Sequence, residues 1–81
     1  MSRLPAMRYR DVVERLRAHG LAYDRPAKGS HEIWYNPVTR RRTTVPHHPG
    51  GLPMGTLRAV IRQAGLSVEE LLKSAAPARG L

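Results

Sequence analysis

The sequence contains no cysteine. That excludes disulfides, cysteine-based zinc sites and thiol nucleophiles, so a domain this small must be held by its apolar core or by a partner. No apolar run approaches the ~18 residues needed to cross a bilayer. Nor does an apolar stretch follow Met1-Ser2-Arg3-Leu4-Pro5, so the start does not read as a secretory signal and a cytoplasmic protein is expected. The chain is also short. Its 81 residues and 9.1 kDa make one domain, with no room for a cofactor domain beside a substrate domain. Doubly wound cofactor enzymes and large barrels are thereby excluded, and no small-molecule cofactor is expected. Negative charge is scarce as well, with 6 Asp+Glu against 14 Lys+Arg, a net +8.

The basic residues are lopsided, with 12 Arg and only 2 Lys. Arginine offers a planar fork of donors and is weakly hydrated, which suits phosphate better than an ammonium does. A small Arg-rich domain therefore points to a polyanionic partner, of which nucleic acid is the commonest. The hydrophobic share of 41% is enough for a globular fold. Seven Pro and seven Gly cluster between the periodic segments and act as punctuation.

Residues 1–7 read as a loose lead-in. From Arg8 onward, Tyr9, Val12, Val13 and Leu16 form one apolar helical stripe. Asp11 and Glu14 fall early, Arg15, Arg17 and His19 late, and Gly20 is the stop. No Ser, Thr or Asn opens this helix. Residues 21–24 read as a short strand, and residues 25–29, with Pro26 and Gly29, as a break. The sequence His31-Glu32-Ile33-Trp34-Tyr35-Asn36 is the clearest strand. A turn at residues 36–39 joins it to a partner strand over residues 41–45, which Pro46 ends. Residues 46–55 are a Pro/Gly-dense loop. Leu57, Val60, Ile61 and Ala64 place a helix over residues 56–64, with Gly65 as its stop. Ser67 and Glu70 form a capping box for a last short helix, and residues 75–81 read as a flexible tail. The fold class is α+β: an α-β-β-β-α domain with a short extra helix, its helices on one face of a three-stranded antiparallel sheet.

Four groups of residues could carry chemistry. In Lys28-Gly29-Ser30-His31 a cation, a glycine and a hydroxyl stand directly before a histidine that opens a strand. Histidine exchanges a proton near neutral pH, and Gly29 permits close approach of a phosphate. RNA suits such a site because its 2′-hydroxyl is a built-in nucleophile. The protein then needs only a proton acceptor, positive charge and orientation. The pair His47-His48 could join His31 in a three-histidine metal site. Adjacent residues point apart, however, and no Asp or Glu is near in sequence to orient either ring, so no metal is expected. The third group is Thr39-Arg40-Arg41-Arg42. Residues 25–42 hold five cations against Glu32 alone, half of the net charge, centred on the hairpin that carries His31. The fourth is Arg58 and Arg62, one turn apart on the polar face of a helix, an arrangement common in solvated helices. Of Trp34 and Tyr35, which alternate across the strand, one is expected in the core.

Together these stretches resemble the HicA (YcfA-like) family of bacterial toxins. The matching residues run Asp11-Val12-Val13-Glu14 to Gly20-Leu21, then Lys28-Gly29-Ser30-His31-Glu32-Ile33-Trp34. They continue through Thr44-Val45-Pro46-His47-His48 and from Gly55-Thr56-Leu57-Arg58 to Gln63-Ala64-Gly65-Leu66. The order holds from residue 8 to residue 72. The resemblance implies a fold like a double-stranded-RNA-binding domain. It implies an mRNA interferase, a ribosome-independent endoribonuclease, with His31 as catalytic residue and a HicB-type antitoxin that occludes the site. Two departures stand out: Pro26-Ala27 separates Arg25 from Lys28, and Arg8 stands where the family usually has a hydroxyl. The expected RNA-binding residues are Lys28, Gly29, Ser30, Arg40, Arg41, Arg42 and His47. The alternative is a non-catalytic module that binds duplex RNA without cutting it.

Overall fold

A computed structural model describes residues 3–73. The chain order is α1 (Tyr9–Ala18), β1 (Ala22–Pro26), β2 (His31–Asn36), β3 (Arg41–Pro46), α2 (Met54–Gln63) and α3 (Val68–Lys73). The strands form one antiparallel sheet in the order β1-β2-β3. This is the α-β-β-β-α arrangement, with its extra helix, that the sequence pattern predicts. The tail expected over residues 75–81 lies outside the described residues.

The start of α1 shows how a helix begins without a hydroxyl cap. The Arg8 backbone N–H donates to the Asp11 carboxylate at 3.1 Å, so the acid in the first turn satisfies the donor from inside the helix. At the other end Gly20 adopts a left-handed φ of 91°. There the Asn36 amide lies so close that a Cβ on residue 20 would meet its nitrogen at 3.0 Å. Asn36 donates from this amide to the His19 carbonyl at 3.1 Å, and its oxygen accepts from Val38 N–H at 2.9 Å. One buried side chain thus ties the end of α1 to the β2–β3 turn. In α3 the capping box forms as expected, with Glu70 N–H on Ser67 Oγ at 3.0 Å and Ser67 N–H on the Glu70 carboxylate at 2.8 Å.

Strand alternation divides β2 between two faces. Glu32, Trp34 and Asn36 point to the helix side, where Trp34 is buried with Val12, Val13, Leu16, Val45 and Leu57. Thr43 of β3 lies on this side too, donating its hydroxyl to the Val60 carbonyl of α2 at 3.0 Å. His31, Ile33 and Tyr35 point the other way, opposite Pro46, Thr44 and Arg42 of β3. That second face has no helix over it among the described residues. Trp34 is therefore the core aromatic, and Tyr35 lies half-buried under Arg42, whose guanidinium is 4.9 Å from its ring centre.

Two expectations need correction. The described part of the lead-in is not loose: Leu4 and Met7 are buried in the core, and the Met7 carbonyl accepts from Leu52 N–H at 2.9 Å. The long loop thereby gains a partner, and its own Leu52 joins the core. The first strand also runs on to Pro26 instead of breaking after Asp24. It is an edge strand with an irregularity between Tyr23 and Arg25. Ala27 supplies the next hydrogen bond, to the His31 carbonyl at 2.8 Å, so the missing Pro26 donor falls at a position facing away from β2.

Candidate active site

His31 opens β2 at the end of the sheet, immediately after the tight β1–β2 turn. Its backbone is held from both sides. His31 N–H donates to the Lys28 carbonyl at 3.2 Å and its carbonyl accepts from Ala27. Gly29 takes a φ of 64°, in the left-handed region, which lets the turn close in so few residues. A Cβ there would meet nothing within 4 Å, so the turn is open on its outer side. Lys28, Gly29, Ser30 and His31 are all exposed. The His31 imidazole has no hydrogen-bond, ion-pair or ring partner among the described residues. The result, among the described residues, is a fixed backbone, a free ring and a turn open on its outer side.

The neighbouring strand end is joined to this turn. His31 pairs with Pro46 across the ladder, and His47 N–H donates to the Ser30 carbonyl at 2.9 Å. The structure thus brings together Lys28, Gly29, Ser30, His31 and His47. It does not bring the arginine run to them. Arg41 pairs with Asn36, at the opposite end of β2 from His31, and five residues of strand separate the two rungs by about 17 Å. Arg40 sits in the far turn with a φ of 65°. The Arg41 side chain lies against Gly65 beside α2. The charge of residues 25–42 is therefore split between the two ends of the hairpin and does not converge on His31. Of the arginine run, Arg42 alone is on the open face with His31, and outside the run Arg25 of β1, opposite Ile33, lies nearer on that same face. Arg58 and Arg62 are exposed, as expected for a solvated helix face.

A second feature is a carboxylate that orients His47, although no Asp or Glu lies near it in sequence. The carboxylate is that of Glu32. Its side chain is only 16% exposed, and it accepts three bonds. Tyr9 of α1 donates from its hydroxyl at 2.6 Å, Trp34 from Nε1 at 3.1 Å, and His47 from Nδ1 at 3.0 Å. Burial alone would push the Glu32 carboxyl up. The bonds from Tyr9, Trp34 and His47, and the charge of His47, outweigh it and hold the carboxyl below its ordinary value. The same network pushes the Tyr9 hydroxyl up to about 12, first through burial and then through its bond to Glu32. An ionised carboxylate only accepts, so His47 carries its proton on Nδ1 and turns Nε2 away from Glu32. The His47 ring also stacks on Tyr9, with centroids 3.8 Å apart and planes 11° from parallel. Its side chain nevertheless remains 55% exposed.

Among the described residues, no group of three His, Cys, Asp or Glu side chains is placed to hold a metal ion. Nor is any helix among them long and apolar enough to cross a membrane.

The fold and this sheet end define a class: a small basic α-β-β-β-α domain resembling a double-stranded-RNA-binding domain, with an unpartnered histidine beside an open glycine turn. The family model described as "HicA toxin of bacterial toxin-antitoxin" matches residues 9–66. That span is most of the chain and includes α1, the whole sheet, α2 and His31. The chain belongs to the HicA toxin family, and so to the toxin side of bacterial toxin–antitoxin pairs. Comparison with curated proteins finds no match.

Proposed function

We propose that this toxin is a cytoplasmic endoribonuclease that cleaves mRNA without the ribosome, using His31 as its proton carrier. The observation that carries this reading is the geometry of His31: backbone fixed, ring free, and Lys28 with the open Gly29 turn immediately beside it. In the proposed reaction His31 takes the proton of a 2′-hydroxyl. The 2′-oxygen forms a bond to the adjacent phosphorus as the bond from phosphorus to the 5′-oxygen breaks; the leaving 5′-oxygen takes a proton from solvent water, and His31 afterwards returns its own to solvent. The products are a 2′,3′-cyclic phosphate and a 5′-hydroxyl. Lys28, with Arg25 and Arg42 on the same open face, supplies charge for the phosphate, while Gly29 and Ser30 shape its approach. Arg40 and Arg41, at the far end of the hairpin, hold RNA away from the reacting bond. A HicB-type antitoxin would neutralise the toxin by covering this basic end, and an acidic surface on that partner would match the charge of the substrate.

The purified chain incubated with end-labelled RNA in EDTA is expected to yield cleaved fragments with 2′,3′-cyclic ends. A shifted but intact RNA band would instead support a module that binds duplex RNA without cutting it.

A further inference from the structure

The mechanism at His31 leaves the Glu32–Tyr9–His47 assembly without a task, although its construction is specific. Three segments converge on one carboxylate: α1 through Tyr9, β2 through Glu32 and Trp34, and the β3–α2 loop through His47. The outcome is an imidazole fixed in orientation and stacked on one side only. Tyr9 covers one ring face and Glu32 holds one edge. The side chain is still 55% exposed, and among the described residues no second ring is stacked on it. It borders a groove between α1 and the loop, whose charged lining is Arg8, Arg10 and Arg17 against Asp11 and Glu14, with His48 beside the stacked pair.

A flat ring presented this way, in a groove whose three arginines outnumber its two carboxylates, is a platform for another flat ring attached to a phosphate. His47 is also one rung of the ladder from His31, since His31 pairs with Pro46 and His47 bonds to Ser30. Paired positions lie about 5 Å apart, so the backbones of the two histidines are neighbours at one sheet end while their side chains leave it on opposite faces, and an RNA strand that rounds this end meets both. We infer that His47 is a nucleobase-stacking subsite, on which an unpaired base next to the cleaved bond extends the Tyr9–His47 stack. This rests on the ribonuclease reading for its place beside the cleaved bond, and it adds a substrate requirement. The base must be free of a duplex, so the RNA is single-stranded where it is cut.

The test uses the wild-type chain and short single-stranded RNAs made entirely of 2′-O-methyl nucleotides, which offer no nucleophile. A fluorescent 2-aminopurine is moved along them. One position is expected to be quenched on binding. His47→Ala is expected to abolish that quench and to weaken binding about 5- to 150-fold. His47→Phe, which keeps a ring over Tyr9 but cannot bond Glu32, is expected to restore both. Circular dichroism confirms that each variant folds. No quench at any position in the wild type, or a His47→Phe chain as weak as His47→Ala, overturns the subsite. Cleavage of unmodified RNA in EDTA is scored separately on the same preparation. Cleavage without a quench overturns the subsite alone, and a His47-dependent quench without cleavage overturns the ribonuclease reading alone.

Discussion

His31→Ala is expected to reduce RNA cleavage by about 10²- to 10⁴-fold, the share a positioned general base contributes, while leaving the fold intact. The reason for the second half of that expectation is structural. The His31 side chain contributes nothing to the core, and the bonds that place this residue are made by its backbone with Lys28 and Ala27. An alanine keeps both. Growth arrest on expression should disappear together with cleavage. A folded His31→Ala chain that cuts RNA at the wild-type rate would remove His31 from the chemistry, and the proton would then have to be carried by another group.

Glu32→Ala is expected to have the largest effect on stability. It removes the acceptor for Tyr9, Trp34 and His47 at once and leaves two of those donors in a poorly hydrated place. Losing bonds to a largely buried charge, with partners left unsatisfied, costs about 2–4 kcal/mol in total. For a domain of this size that corresponds to a fall in melting temperature of about 10–25 °C. The pH dependence has a definite sign. The native Glu32 carboxyl lies below its ordinary 4.5, so its extra stability is present above that pH and is lost as pH falls through the native value. The wild type should therefore resist denaturant less as pH drops below about 4.5, and the Glu32→Ala chain should lack that component. Equal melting temperatures for the two proteins at neutral pH would show that the network holds nothing.

How far the sequence anticipates these results differs from residue to residue. The hairpin and the capping box of Ser67 and Glu70 follow from short-range pattern, and so does one core aromatic of the pair Trp34 and Tyr35. That it is Trp34 depends on which face of the sheet the helices cover. His31 at the start of a strand follows from short-range pattern too. The burial of Leu4 and Met7 does not, because it depends on a loop forty residues away returning to meet them. The arginine run misleads for a related reason: residues near His31 along the chain are carried to the far end of the hairpin by the strand between them. Glu32 and His47 are an intermediate case. A four-residue turn after Asn36 sets a register in which Glu32 opposes Val45, and His47 then falls on the same face, two residues further on. That contact could be worked out from the hairpin alone. Tyr9 could not, since nothing in the local pattern says which part of α1 crosses that end of the sheet.

In the proposed reaction the substrate brings its own nucleophile to a protein that supplies a proton carrier and charge. This is tested most directly by one measurement, made in EDTA on two RNAs that differ at a single mapped cleavage site. One has the natural 2′-hydroxyl before the cleaved phosphate, and the other has 2′-deoxy at that position alone. The wild-type chain is expected to cut the first to a 2′,3′-cyclic phosphate and to leave the second intact at that site. Cleavage of the 2′-deoxy bond at a comparable rate would show that the nucleophile is not the substrate's own 2′-hydroxyl.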